Sequence, residues 1–333
     1  MSFTLAQLAK LETSTLRKGV MMNLLNFSKA MEIVPWERVD SLKSIAVRWK
    51  TLPDVAFRRI HGGYTKSHGD YEQIWESVYA LGGDMDFDRV FEHIKNTIVD
   101  PKVDQTTQKL KSVAYKFNDY LINGDHATDV DGFEGLKKRV ANMPPRQSVY
   151  FAGAAAAPLD PTASSGNANI FLNKLEEGWY KCNGGQAGAI FCNEGLYWGL
   201  GRVLRYIGTQ AGSMLDVTKD SFDRSILTYR GVPLLDIGFK KDQSTLIITD
   251  TEVAGDAGAD STSLYMVSFG TEKEGLTGIQ LNDLAVYDPL AGGEMETLPA
   301  TLLRIDWWLG LASFGDHAIV RLRNIERSSD WTY

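Results

Sequence analysis

The segment from Asp100 to Asp125 constrains the fold more than any other part of the chain. Apolar residues recur in it at helical spacing, at Val103, Leu110, Val113, Ala114, Phe117 and Leu121. This spacing predicts one amphipathic helix. Asp100 and Pro101 suit its start, because an aspartate can cap free N–H groups and a proline loses no hydrogen bond in the first turn. Gly124 suits its end, where a left-handed residue is common. A helix of this length, about 30 Å, divides the chain into N-terminal arms and ribbons and a C-terminal α/β body.

Composition and charge limit the classes of protein that fit. The chain has 333 residues, of which 44% are hydrophobic, and a net charge of −7. This size supports one large domain or two smaller ones with a real core. The negative charge argues against a surface that grips nucleic acid, which needs a basic footprint. Without a signal-peptide pattern or an apolar run of roughly 18 residues, we expect a soluble protein made in a cytoplasm.

The first 40 residues predict an apolar arm. Leu16, Val20, Leu24 and Phe27 form a short helical stripe, and Met21 adds further apolar surface. Each large side chain left in water would cost about 1.5–3 kcal/mol, and one short helix cannot cover them. The arm must therefore pack on something, and the pattern leaves two surfaces open: its own core or a neighbouring subunit.

Residues 44–83 predict a long two-stranded ribbon. Apolar and polar residues alternate on both of its legs, around Trp49 on the first and Trp75 on the second. Gly62 and Gly63 make the connection flexible. An isolated hairpin is marginally stable in water, so this ribbon requires a partner surface.

The ribbon tip is basic and the strand that follows the ribbon is acidic. Opposite charges on two protruding parts suit pairing between subunits, although exposed ion pairs contribute only about 0–1 kcal/mol each. An ordinary solvated mixture of charges is the alternative. From these patterns we predict inter-subunit contacts at Met21, Leu24, Trp49, Arg58, Arg59, Lys66, Trp75, Asp84, Asp86 and Asp88.

The second half of the chain predicts a compact α/β body. Helices are predicted at 133–140, 169–177 and 194–207. Strands are predicted at 189–193, 226–229, 232–237, 246–249 and 264–269, with two more around Gly315 and Asp316. Two Gly- and Ala-rich stretches, 152–169 and 251–263, predict mobile loops.

No motif for catalysis or cofactor binding occurs in the sequence, such as GxxxxGK[ST], GxSxG, HExxH or CxxC. Asp129, Asp131 and Gly132 resemble a fragment of a calcium loop, but its closing glutamate is missing, so a turn with a helix N-cap is preferred. Cys182 and Cys192 are read as two buried thiols, with an isolated disulfide as the alternative. We therefore predict no catalytic residue, no cofactor and no metal. An oligomeric enzyme with an unrecognised site remains the rival class.

The order of these parts resembles the major capsid proteins of tailed bacteriophages, the Hong Kong 97 fold family. The phrases that carry the resemblance are GGDMDFDR before the central helix, FEGLKKRV after it, and then AIFCNEGLYWGLGRVLR, ILTYRGVPLLDIG, SLYMVSFGTEKEGLTGIQ and RIDWWLGLASFGDHAIVRLRNI. Each phrase alone is moderately specific for this family, and the order in which the phrases occur is more specific than any one of them. Together they cover essentially the whole chain.

The resemblance implies an α+β capsid fold whose parts can be assigned to this chain. They are an N-terminal arm at 1–42, an extended β-hairpin loop at 43–82, a peripheral domain at 83–125 and 300–333 with a spine helix at 101–123, and an axial domain at 126–299.

The resemblance also implies a function and partners. The chain would assemble with itself into hexamers and pentamers of an icosahedral shell that encloses phage double-stranded DNA, contacted non-specifically. The shell would form in the host cytoplasm, mature from a precursor and contact no membrane. Its other expected partners are a separate scaffolding protein, since the chain begins at the arm, a portal and in some shells a decoration protein. An encapsulin-type compartment, which has the same fold, is the alternative.

Two further expectations follow from the resemblance and the apolar arm and ribbon. Some relatives cross-link through a lysine of the extended loop, and Lys66 has a comparable position, but the sequence identifies no partner asparagine. The variant Trp75→Ala, or truncation of residues 1–30, is expected to leave folded subunits that form no stable particle.

Overall fold

The structure of the chain, a computed structural model, describes residues 3–4, 19, 22–24, 27–88, 90, 101–143, 150–151, 158–207, 215–219, 225–253, 260–270, 275–290, 293, 295 and 298–326. Within them, the strands are β1 Phe3–Thr4, β2 Pro35–Arg38, β3 Lys43–Thr51, β4 Asp70–Ser77, β5 Tyr79–Asp88, β6 Tyr150–Phe151, β7 Ala189–Cys192, β8 Leu215–Lys219, β9 Ser225–Tyr229, β10 Val232–Asp236, β11 Glu252–Val253, β12 Asp260–Val267, β13 Leu276–Gln280, β14 Ala285–Tyr287, β15 Ala300–Ser313 and β16 Ile319–Glu326. The helices are α1 Lys29–Ile33, α2 Pro101–Asn123, α3 Leu136–Asn142, α4 Ser165–Lys181 and α5 Glu194–Ile207.

Two sheets and one separate ribbon contain these strands. The first sheet has the order β1-β2-β13-β15-β14, with β5 paired to β15. The second has the order β6-β16-β12-β7-β10-β9-β8, with β11 paired to β12. The ribbon consists of β3 and β4 alone. It leads directly into the first sheet, because only Val78 separates β4 from β5.

The long helix α2 packs on the first sheet. Its buried face is made by Leu110, Val113, Ala114, Phe117 and Leu121, none of which is more than 4% exposed. The ring centroid of Phe117 lies 5.8 Å from that of Trp36 on β2 and 6.3 Å from that of Trp307 on β15. This aromatic cluster fixes the helix on the sheet, since each such ring pair contributes about 0.5–1.5 kcal/mol beyond the burial of its area.

The predicted helix is confirmed with two differences in detail. Val103, expected in the apolar stripe, is exposed, so the buried face begins at Leu110. Gly124 does not adopt the left-handed conformation expected of a helix end. Glycine is required at position 124 because the carbonyl oxygen of Phe133 lies so close that a Cβ atom would overlap that oxygen. Asp100, the expected cap, lies outside the described residues.

A second core lies between α4, α5 and the second sheet. Phe171 and Leu175 of α4, with Leu196 and Leu200 of α5, are fully buried against strands that include β7. Ser164 caps α4, its side chain accepting a hydrogen bond of 3.1 Å from the backbone N–H of Asn167. The two helices therefore cover the sheet through the apolar stripes that their sequences show.

Several predicted elements of the second half differ from the structure. The loop predicted at 152–169 gives way to α4 from Ser165, and its residues 152–157 are not among those described. The strand predicted at 246–249 is wrong: Ile247 and Ile248 are buried, but only an isolated bridge from Phe239 to Leu246 forms there. The helix predicted at 133–140 is α3, which begins at Leu136 after Gly135 and has no side-chain cap.

The sheets do not follow the domain boundaries implied by the resemblance. In the stretch 300–333, β15 belongs to the sheet that carries α2, whereas β16 pairs with β12 in the second sheet. Conversely, β13 and β14, assigned to the axial domain, pair with β15. The arm also supplies β2 to the first sheet, parallel to β13. The chain therefore passes from one sheet to the other more than once, most directly between β15 and β16.

A buried charged cluster replaces part of the loop predicted at 251–263. Glu252 on β11 accepts two hydrogen bonds from the Nη2 atom of Arg321 on β16, at 2.7 and 2.8 Å, and another from Ser263. Lys137 lies 3.4 Å away. Burial raises the pKa of the Glu252 carboxyl, but Arg321, Ser263 and Lys137 outweigh it, so the pKa lies below its ordinary value. The cluster fastens β11 to the sheet.

We expect Glu252→Gln to lower the free energy of unfolding by about 2 kcal/mol at neutral pH, since charge-assisted hydrogen bonds are lost. The ionised carboxylate stabilises the fold above its unfolded pKa, and this contribution disappears as the pH falls through the lowered folded pKa. The difference between the two proteins should therefore shrink over the acidic range, as the pH falls below the ordinary glutamate pKa of about 4.3 and through the lowered folded value. Urea unfolding across this range measures it; a difference independent of pH would contradict the assignment.

Candidate assembly surfaces

The ribbon is an antiparallel ladder that extends away from the body. Its register runs from Lys43 opposite Ser77, at the base, to Thr51 opposite Asp70, at the far end. Ile45 and Trp75 face each other on one side and remain 50% and 57% exposed. Alternation places Glu76 on the opposite side, toward the body. One face of the ribbon is therefore anchored and the other is open.

The base of the ribbon is held by a buried ion pair. Arg139 on α3 donates two hydrogen bonds to Glu76, 2.5 Å from Nη1 to Oε1 and 2.9 Å from Nη2 to Oε2. The same guanidinium donates to the carbonyl oxygens of Leu311, at 2.7 Å, and Glu134, at 2.9 Å. The side chains of Arg139 and Glu76 are 8% and 13% exposed. The bidentate geometry sets the direction in which the ribbon leaves the body.

The tip of the ribbon, defined as residues 52–69, presents a row of apolar side chains to solvent. Five of them are 70–109% exposed: Leu52, Val55, Phe57, Ile60 and Tyr64. Large apolar side chains clustered on one protruding segment indicate an interaction surface. From the sequence, contacts on the tip were predicted only at its basic residues. The spaced apolar residues of LPDVAFRRI, residues 52–60, were the signal that could have identified four of these five, all except Tyr64.

The predicted basic contacts, Arg58, Arg59 and Lys66, all lie on this tip and are exposed. Arg58 donates a hydrogen bond of 3.1 Å to the carbonyl of Gly62, and its guanidinium carbon lies 5.0 Å from the centroid of the Tyr64 ring. These contacts fold the end of the tip on itself. Arg58, Arg59 and Lys66 are all exposed, as is Asp54, so the tip carries three basic residues and one acidic residue.

The predicted acidic contacts, Asp84, Asp86 and Asp88, lie on β5, and they differ from one another. Asp84 accepts hydrogen bonds of 2.6 and 2.7 Å from Arg304 on β15, directly opposite in the ladder. This bond lowers the pKa of the Asp84 carboxyl. All three aspartates are exposed, but Asp84 already has an ion-pair partner inside its own subunit.

The arm contacts the body of its own subunit where the structure describes it. Leu24, predicted as a contact with a neighbouring subunit, is 1% exposed and packs in the first core with Met31. This placement corrects the prediction for Leu24, which packs on the core of its own subunit. Truncation of residues 1–30 would remove core residues, so it is not a clean test of assembly. Met21 and the side chain of Trp49 lie outside the described part of the chain.

The remaining candidate sites show structural roles. Asp129 caps its own turn by accepting a 3.2 Å hydrogen bond from the backbone N–H of Asp131. Among the residues described, no group of three metal-ligating side chains forms. Cys182 and Cys192 are free and buried, and burial raises the pKa of the Cys182 thiol to about 12. No helix in the described ranges is long and apolar enough to cross a membrane.

Comparison with known proteins finds similarity in structure only. No family model and no curated protein matches the sequence. Among solved structures, the chain is similar to the holo-SrpI encapsulin complex from Synechococcus elongatus PCC 7942, with 16% identity, a TM-score of 0.59 and coverage of 90% of this chain and 88% of that one. It is similar to the capsid of a native GTA particle, with 16% identity, a TM-score of 0.56 and coverage of 91% and 90%. It is also similar to Mycobacterium phage Bobi, with 9% identity, a TM-score of 0.57 and coverage of 91% of both chains.

These three structures differ widely from the chain in sequence, yet each matches it over nearly the whole length of both chains. The chain itself has a mixed α+β arrangement with two sheets, a long helix and a ribbon. The chain therefore has the Hong Kong 97 fold, the fold of phage capsid and encapsulin shells.

Proposed function

We propose that the chain is the major subunit of a closed icosahedral shell, assembled from hexamers and pentamers, that encloses the double-stranded DNA of a phage. The observation that carries this proposal is the ribbon, whose apolar tip and open face remain exposed among the residues that the structure describes. The proposal is also supported by the similarity of nearly the whole chain to solved structures of shell proteins. A subunit of this kind is completed by contact with its copies.

The energetics favour assembly by many modest contacts. If the five exposed apolar side chains of the tip are covered, each contributes about 1.5–3 kcal/mol, or roughly 8–15 kcal/mol together. Association and ordering consume much of this. Each contact can therefore remain weak enough to correct errors, while a closed shell that repeats it many times becomes hard to dissociate.

The net charge of −7 suits a wall that encloses DNA without binding it tightly, because phosphate binding requires clustered positive charge. In this proposal the main partner is a second copy of the chain. A scaffolding protein, a portal and in some shells a decoration protein complete the particle, which forms in the host cytoplasm and ends as the virion capsid.

A compartment of the encapsulin type is the second candidate, favoured by the match to the holo-SrpI encapsulin complex with a TM-score of 0.59. The two functions differ in what the particle contains. Particles purified after nuclease treatment should protect double-stranded DNA if the first proposal holds. Particles that contain protein and no nucleic acid would establish the second instead.

We expect Trp75→Ala to prevent particle formation while the subunit remains folded. Removal of a central aromatic side chain from an interface commonly costs about 2 kcal/mol or more per contact, and every subunit repeats the loss. Electron microscopy and size-exclusion chromatography measure the particles, and thermal unfolding checks the subunit.

Trp198→Ala is the matched control, because Trp198 on α5 is 54% exposed, nearly as much as Trp75, but lies away from the ribbon. It should assemble as the wild type does. Normal particles from Trp75→Ala would refute the role given to the open face of the ribbon.

A further inference from the structure

A cavity of about 190 Å³ lies beside the base of the ribbon, between α2, the start of β5 and the loop that follows α2. Its interior is apolar and includes Leu81, Phe117, Phe133 and Leu309. A buried apolar cavity of about 150 Å³ accommodates benzene. The cavity is therefore large enough for one aromatic side chain.

The walls of this cavity are fixed by contacts within the subunit. The hydroxyl of Tyr120 donates a hydrogen bond to Asp129, and the Nζ atom of Lys116 lies 4.3 Å from the centroid of the same ring. Burial, together with Asp129, raises the pKa of Tyr120 to about 12, so the hydroxyl keeps its proton and this bond. Residue 132 must be glycine, since a Cβ there would overlap the Tyr120 ring. The cavity is thus formed before anything enters it.

The mouth of the cavity is acidic, whereas the tip of the ribbon is basic. Asp129 and Asp131 line the cavity together with one lysine, Lys116. On the tip, Phe57 is 109% exposed and is followed directly by Arg58 and Arg59. An aromatic side chain with adjacent cations matches an apolar cavity with adjacent carboxylates, and such complementarity fixes orientation as well as partner.

The tip cannot reach the cavity of its own subunit. Tyr79, which lines the cavity, lies two residues after Ser77, where β4 ends at the base of the ribbon. Phe57 lies beyond the other end of the ladder, which at about 3.3 Å per residue is about 26 Å away along the eight residues of β4. Reaching back would break the ladder, so the occupant must come from another molecule.

We propose that this cavity receives Phe57 from the ribbon tip of a second copy of the chain, with the tip arginines against Asp129 and Asp131. The inference rests on the proposed function, because it specifies which surfaces meet when subunits assemble. Tip to base is a head-to-tail contact between unlike surfaces. Repeated contacts of this type close into rings when the rotation between neighbours allows it, as pentamers and hexamers require.

Disulfide trapping tests the contact in assembled particles. Phe57→Cys and Ala80→Cys place thiols at the tip and at the exposed mouth of the cavity. The native Cys182 and Cys192 are buried, and burial raises the pKa of both thiols, so neither should react. With copper phenanthroline, the chain that carries both substitutions should give a ladder extending beyond dimers on non-reducing gels. A mixture of the two single variants should give dimers only.

The control pairs Phe57→Cys with Val217→Cys, an exposed position on β8 in the second sheet, and should give no ladder. Particles without the Phe57–Ala80 cross-link would overturn the inference and leave the proposed function standing. Failure of the wild-type chain to form particles would instead refute the proposed function, and this inference with it.

A charge exchange provides a second test in case the cysteine at position 57 prevents assembly. Arg59→Glu and Asp131→Arg should each lower the yield of particles about tenfold or more, which corresponds to about 1.4 kcal/mol. The double variant should recover most of that loss if the two residues face each other across the contact. Losses that simply add in the double variant would contradict the contact.

Discussion

A subunit in which residues 52–69 are replaced by Asn-Gly is expected to fold normally and to form no particles. The replacement joins Thr51 to Asp70 at the end of the ladder, and Asn-Gly is the two-residue turn that suits a hairpin. It removes all five exposed apolar side chains of the tip and none of the buried core. The expected loss is roughly 8–15 kcal/mol of gross contact energy per subunit.

Size-exclusion chromatography and electron microscopy measure this effect, with circular dichroism and thermal unfolding as checks on the fold. The tipless subunit keeps its cavity, so in mixtures it should accept wild-type tips and donate none. Its addition should therefore lower the yield of wild-type particles at constant wild-type concentration. Particles built from the tipless chain alone would show that the ribbon tip is not an assembly contact.

The variant Arg139→Ala is expected to lower the free energy of unfolding by about 3–5 kcal/mol. Breaking a buried ion pair from one side leaves the other charge without compensation, here the carboxylate of Glu76. The carbonyl oxygens of Leu311 and Glu134 lose donors as well. The ribbon should also lose its fixed direction, because Glu76 is its anchor to α3. Denaturant unfolding measures the first effect, and hydrogen exchange of β3 and β4 measures the second.

Lys138→Ala is the matched control, on the same helix and one residue earlier. Lys138 pairs with Asp125 at 3.1 Å, but the two side chains are 36% and 31% exposed. Such a pair contributes only about 0–1 kcal/mol, so the control should be nearly neutral. If the two variants lowered the free energy of unfolding equally, the burial of Glu76 and Arg139 would not determine how much their ion pair stabilises the fold.

The sequence predicts the long elements of this fold well, because their signals are local. Helix α5 has the predicted bounds, Glu194–Ile207, and α2 follows from a stripe that repeats over several turns. The two legs of the ribbon follow from strict alternation. In each case the period of apolar residues is readable within the element itself.

The features that the sequence did not predict depend on residues far apart in the chain. Glu252 is buried in a strand because Arg321, 69 residues later, compensates its charge. Asp84 is paired within its own subunit because Arg304, 220 residues later, lies opposite it. The anchoring of Glu76 by Arg139 and the cavity around Tyr120 also depend on residues that are distant in the sequence. A single sequence carries no local record of such pairs.

The direct passage from β4 into β5 has a mechanical consequence. A pull on the ribbon tip is transmitted along β5, which is paired with β15 from Tyr79 opposite Leu309 to Asp88 opposite Ala300. Force along the strand axis loads all ten register pairs in shear at once, instead of peeling them apart one by one. Tension between neighbours would thus reach the best-supported ladder of the fold, where rupture requires the simultaneous loss of many bonds.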